Sequence, residues 1–162
     1  VDVANESEAG PVVVVLGAFA SELEKLIDQK KVHITENPNW QEGIASSIHT
    51  GLETLKRVAL LSEAVILMVC DQPYLETEIL NELIATQKRT GKPIVACRYG
   101  NTIGTPALFH RSLFAELLEL KGDKGAKAII ESHMDNVETI AFHRGEIDID
   151  TEDDYEGLVA SS

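Results

Sequence analysis

Positive charge is scarce in this 162-residue chain: 14 Lys and Arg face 27 Asp and Glu, a formal net charge of −13. A surface this acidic repels nucleic-acid backbones and anionic membranes, so neither is expected as a main partner. An anionic small molecule can bind only where a metal ion, backbone amides or a local basic cluster offsets the field. Long apolar runs are also missing, and none approaches the ~20 residues of a membrane span. The opening VDVANESEAG has no basic flank and no apolar centre, unlike a secretory signal. A cytoplasmic location is therefore expected. Cysteine is limited to Cys70 and Cys97, both in strand-like runs without ligand spacing, which reads as reduced, buried thiols. The five histidines are scattered, and no nucleophile elbow or Cys–His pairing occurs. Internal repeats and linkers are absent too.

What is present is an ordinary globular composition, 44% apolar and 25% charged, with size for one domain over residues 1–162. VVVVL (12–16), KVHIT (31–35), AVILMVC (64–70), PIVACR (93–98) and VETIAF (137–142) read as strands. Between them, Ile44, Ile48, Leu52, Leu55 and Ala59 recur at helical spacing, as do Ile79, Leu80, Leu83 and Ile84, then Leu113, Phe114, Leu117 and Leu118. Ser21 with Glu24 predicts a capping box, and Asp123 a cap for the helix through KAIIESH. A short extended piece is expected near TPALF, and a helix opened by Thr151 near the end. Strands that are apolar throughout and alternate with helices predict a three-layer αβα fold around a mostly parallel sheet.

Such sheets bind ligands beyond the carboxyl ends of their strands. Asp71 stands at one of these ends, and Pro73 turns the chain sharply after it. A carboxylate there can hold Mg²⁺, which takes one or two carboxylates plus substrate phosphates, or it can simply accept turn hydrogen bonds. In EIDIDTEDD, an extended chain puts Asp148 and Asp150 on one face about 7 Å apart, suited to a cation or to an exposed edge. In ENPNWQEGIASSIHTGL, Gly43 allows close backbone approach to a ligand. Ser46 and Ser47 fall in a first helical turn, where free amides and hydroxyls reach a base or ribose; alternatively one serine caps the helix and Trp40 staples into the core. Gly122, Asp123, Lys124 and Gly125 form a tight loop, and Lys124 with Lys127 supplies local positive charge for a phosphate. The same pattern also suits an ordinary helix junction.

Together NPNWQEGIASSIHTGL, CDQPYL, GTPALF, GDKGAKAI and DIDTEDDY resemble, in order and approximate spacing, the molybdenum cofactor cytidylyltransferases. These are nucleotidyltransferases related to the molybdopterin guanylyltransferase. The resemblance implies a Rossmann-like nucleotidyltransferase fold and transfer of CMP from CTP to the terminal phosphate of molybdenum-molybdopterin, with release of pyrophosphate. It implies Asp71, Asp148 and Asp150 as catalytic Mg²⁺ ligands, with Gly43, Ser46 and Ser47 beside the nucleotide. Gly104, Pro106 and the 122–125 loop would face the acceptor, and a molybdoenzyme is a possible partner. GTP or another phosphate acceptor, or a non-catalytic relative that delivers the cofactor, are the alternatives. The family's opening strand and glycine-rich loop are not found. The domain is therefore expected to be N-terminally incomplete, with a gap beside the strand that ends in Asp71, and inactive as written.

Overall fold

The computed structural model describes residues 1–27 and 31–147. In chain order its elements are α1 (Asp2–Glu6), β1 (Val13–Leu16), α2 (Ala20–Leu23), β2 (His33–Glu36), α3 (Ile44–Val58), β3 (Ala64–Leu67), α4 (Thr77–Thr90), β4 (Ile94–Tyr99), β5 (Thr102–His110), α5 (Phe114–Glu119), α6 (Ala126–Ser132) and β6 (Val137–Ala141). The strands form two sheets, β1-β2 and β3-β5-β4-β6. β1 and β2 are parallel. In the larger sheet β3, β4 and β6 share one direction, and β5 alone is reversed. This is the mixed, mostly parallel α/β architecture that the strand pattern predicts.

Side-chain alternation along the strands divides the core into two layers. Ile94 and Ala96 of β4, with Ala107 and Phe109 of β5, face Ile48, Leu52 and Leu55 of α3, Leu117 of α5 and Ile129 and Ile130 of α6. Val95 and Cys97, with Leu108, face Leu80 and Leu83 of α4 and Ala4 of α1. Leu80 and Leu83 are fully buried, each contributing about 1.5–3 kcal/mol by removal from water. α4 stops where expected: Gly91 takes a left-handed conformation (φ 66°), and its N–H donates to the Gln87 carbonyl at 2.8 Å.

Val13 of β1 and Val65 and Leu67 of β3 pack against the same cluster beneath α3. Among the described residues β1 and β3 do not pair with each other, so each keeps one edge free of a ladder.

Several local expectations need correction. The strand that opens at Ala64 ends at Leu67, so Met68 to Cys70 leave the sheet and Cys70 is exposed, whereas Cys97 is buried; both are free thiols. Burial, then the nearby charge of Glu82, pushes the Cys97 thiol up to about 12. The Ser21–Glu24 box does not cap α2, which starts after Phe19 in a left-handed conformation and has no side-chain cap. Asp123 does not cap α6; Gly125 occupies that position. The short piece near TPALF is β5, the nine-residue strand Thr102–His110. Its register against β4 jumps from Ala96↔Ala107 to Cys97↔Gly104, which leaves Thr105 and Pro106 as a bulge. Such bulges re-aim backbone groups next to sites.

Candidate functional site

Three loops carry the candidate residues. The first follows β3 and carries Asp71, Gln72, Pro73 and Tyr74. Among the described residues only three buried side-chain atoms lack a hydrogen-bond partner: His49 Nε2, Asp71 Oδ1 and Gln72 Oε1. Two of the three are oxygens on consecutive residues of this loop. Leaving one such acceptor unsatisfied costs about 1–3 kcal/mol, and a buried unpaired carboxylate oxygen is a site for a cation or a donor from a ligand. Asp71 therefore fits a hard divalent ion on an observed orphan oxygen. No group of three His, Cys, Asp or Glu side chains capable of holding a metal occurs among the described residues. Mg²⁺ needs no such group, because it keeps waters and substrate phosphates in its shell.

Gln72 holds the loop in place. It is 8% exposed, and its Nε2 donates to the Thr105 carbonyl at 3.2 Å and the Gly145 carbonyl at 3.0 Å. The Thr105 carbonyl is available because the bulge turns it out of the β4–β5 ladder. One side chain thus ties the β3 exit, the β5 bulge and the turn after β6 together. Nothing in the sequence marks this role, since a glutamine beside a proline reads as a solvated turn. Pro106, in the bulge, and Gly104, paired with Cys97 just before it, were expected to face an acceptor; both are buried. At Gly104 a Cβ would come within 2.6 Å of the Tyr99 hydroxyl.

The second loop follows β2. Asn37 is 1% exposed, and its Nδ2 donates to Ser46 Oγ at 2.8 Å and Ser47 Oγ at 3.0 Å. Its Oδ1 accepts from the Asn39 N–H at 3.0 Å. Ser46 also donates to the Gly43 or the Asn39 carbonyl. Both serine hydroxyls thus brace the loop against the first turn of α3 instead of standing free. Asn37 was missed because strand-end asparagines usually serve solvated turns; only tertiary burial shows it as a hub. Trp40 is 43% exposed and does not staple into the core, but it covers Gly17, where a Cβ would lie 2.7 Å from its own.

The third loop, Gly122 to Gly125, joins α5 to α6 and meets the second directly. Gly43 adopts φ 98°, and a Cβ there would fall 2.4 Å from the Gly122 carbonyl carbon and 2.6 Å from Asp123 Oδ1. What approaches Gly43 closely is this protein loop. The Ala45 N–H donates to the Gly122 carbonyl at 3.1 Å, so part of the α3 N-terminus is already occupied. Asp123, Lys124 and Lys127 are exposed. The structure thereby brings Gly43, Ser46, Ser47 and residues 122–125 into one assembly, and Asp71 with Gly104 and Pro106 into another. Asp148 and Asp150 lie outside the described residues.

Residues 1–137 match the MobA-like NTP transferase domain. The chain belongs to that family. The crystal structure of Rv0371c from Mycobacterium tuberculosis H37Rv is 30% identical to this transferase domain, covers 99% of it and 82% of its own chain, and superposes with a TM-score of 0.80. The Rv0371c homologue from Mycobacterium sp. strain JC1 is 32% identical, with 99% of this chain and 79% of that one covered and a TM-score of 0.79. Rv0371c was also crystallised as a complex with manganese, at 28% identity, 99% and 83% coverage and a TM-score of 0.79. The comparisons show a nucleotidyltransferase fold; the finer cytidylyltransferase assignment rests on motifs alone. No functionally curated protein matches the chain in sequence. None of these similarities supports the expectation that the chain is inactive. Among the described residues no helix is long and apolar enough to cross a membrane.

Proposed function

We propose that this domain transfers CMP from CTP to the terminal phosphate of molybdenum-molybdopterin, releasing pyrophosphate, with Mg²⁺ at Asp71. The observation that carries the reading is the buried, partnerless Oδ1 of Asp71 in the loop after β3. Family membership and a relative crystallised with manganese support use of a divalent ion, and the orphan oxygen is the reason for putting it at Asp71. Asp148 and Asp150, a few residues beyond the Gly145 that Gln72 holds, are the proposed further ligands.

An acceptor phosphate oxygen attacks the α-phosphorus of the nucleotide, so no protein nucleophile is needed, and catalysis reduces to positioning and charge neutralisation. A divalent ion, when bound, supplies charge stabilisation on the phosphoryl oxygens. The chain's own residues do the rest. Gln72 fixes the Asp71 loop against β5 and the turn after β6. Asn37 holds Ser46 and Ser47, and with them the first turn of α3, beside the nucleotide. The 122–125 loop, braced on Gly43, offers exposed Lys124 to the acceptor phosphate, and Gly104 and Pro106 flank Thr105 at the bulge that Gln72 holds. Choice of CTP rests on the motif set NPNWQEG, CDQPYL, GDKGAK and DIDTEDDY.

The test is pyrophosphate release from CTP, GTP and ATP with purified molybdenum cofactor as acceptor. The reading expects release from CTP only when the acceptor is present. Preferential release from GTP transfers the site to a guanylyltransferase. No release from any nucleotide contradicts it.

A further inference from the structure

A polyphosphate substrate needs positive charge, yet the chain carries −13. Beside the Asp71 loop the structure sets one cation in an unusual way. The Arg144 guanidinium carbon lies 3.4 Å from the centroid of the Tyr74 ring, and Tyr74 is three residues after Asp71. Stacking uses the flat face of the guanidinium, whereas its N–H donors lie in the plane and stay available at the edge. Among the described residues those donors meet no hydrogen-bond acceptor or carboxylate. Arg144 is exposed, so the edge is open to a ligand.

The backbone is held as firmly as the side chain. Arg144 has φ 66°, a left-handed conformation few residues other than glycine adopt. The next residue, Gly145, is tied by its carbonyl to the buried Gln72 amide at 3.0 Å. Gln72 and Tyr74 thus grip residues 144 and 145 from the loop that carries Asp71. Both the charge and its direction are set before any ligand arrives, which lowers the ordering cost of binding.

We propose that Arg144 is a phosphate-binding residue of the Asp71 site, with Tyr74 and Gln72 as the residues that position it. The location of the substrate rests on the nucleotidyl-transfer reading above. The ligand class is a phosphate oxyanion, which a planar guanidinium edge can take with two parallel hydrogen bonds. Its source is either the nucleotide's polyphosphate or the acceptor's phosphate.

The experiment is calorimetric titration of the whole chain with inorganic pyrophosphate, CTP and inorganic phosphate, first without metal and then with Mn²⁺. Arg144→Ala is expected to weaken at least one of these at least tenfold, and Arg144→Lys to recover part of the loss. Tyr74→Phe keeps the ring and should bind as the wild type does; Tyr74→Leu should fall between wild type and Arg144→Ala. Loss for CTP and pyrophosphate assigns Arg144 to the nucleotide's phosphates. Loss confined to inorganic phosphate assigns it to the acceptor's. Equal affinities of wild type and Arg144→Ala for all three overturn the proposal, as does a wild type that binds none. Mn²⁺ affinity measured alongside keeps the two readings apart. If Asp71→Asn abolishes Mn²⁺ binding while Arg144→Ala leaves phosphate affinity intact, only the arginine role fails. If Asp71→Asn leaves Mn²⁺ affinity unchanged, the metal reading fails on its own.

Discussion

Replacing Gly43 with alanine should test whether the loop after β2 and the 122–125 loop form one unit. Two costs combine. At φ 98° a Cβ is strained whatever the space around it, at about 1–3 kcal/mol. The added carbon would also stand 2.4 Å from the Gly122 carbonyl carbon, so that loop must withdraw by roughly 1 Å to reach ordinary contact. Withdrawal breaks the bond from the Ala45 N–H to the Gly122 carbonyl, worth about 0.5–1.5 kcal/mol. The sum is about 2–4 kcal/mol, or roughly 5–15 °C in Tm for a chain of this size. Gly91→Ala is the control: φ is 66° and nothing lies within 4 Å of the added carbon, so only the smaller backbone cost of about 1 kcal/mol applies. Thermal unfolding of both variants decides the matter. Equal Tm shifts for Gly43→Ala and Gly91→Ala would refute the loop contact.

Asn37→Ala deletes three hydrogen bonds from a residue that is 1% exposed, and should cost about 2–4 kcal/mol while raising hydrogen exchange in residues 37–47. Unaltered exchange there would remove the hub role. Thiol labelling at pH 8 should modify Cys70 at once and Cys97 only in denaturant, since Cys70 is exposed and Cys97 buried; a second fast thiol in the native chain would contradict the packing. The Cys97 thiol, pushed up to about 12 by burial and then Glu82, stays protonated in the native state while an unfolded thiol ionises near ~8.5. Its contribution to stability is therefore complete below ~8.5 and is lost as pH rises toward about 12. Cys97→Ala should flatten this part of the stability–pH curve, as urea unfolding across that range would show.

Much of the architecture was legible because periodicity reports burial. Ile48, Leu52 and Leu55 are buried along α3 as their spacing requires, and of that stripe only Ile44, at the start of the helix, is exposed. β5 was underestimated because Gly104, Thr105 and Pro106 interrupt its pattern, yet Thr105 and Pro106 form a bulge that the ladder resumes beyond. AVILMVC promised a longer strand than Ala64–Leu67, because apolar residues after a strand can serve a loop that packs inward; Met68 packs against the α4-side core. Asp71 was visible as a carboxylate closing a strand-like run, although β3 itself stops four residues earlier, at Leu67. Gln72, Asn37 and the Tyr74–Arg144 stack were not, since each acquires its role from residues 33, 9–10 and 70 positions away.

The central claim is that the partnerless oxygen of Asp71 is a metal ligand for nucleotidyl transfer, and Asp71→Asn in the otherwise unchanged chain tests it most directly. Its measurement is Mn²⁺- or Mg²⁺-supported pyrophosphate release from CTP with molybdenum cofactor, beside the circular dichroism of both proteins. The expected result is an unchanged spectrum and a fall in turnover of at least a hundredfold, about 2.7 kcal/mol of transition-state stabilisation. Near-wild-type turnover by a folded Asp71→Asn variant would contradict it.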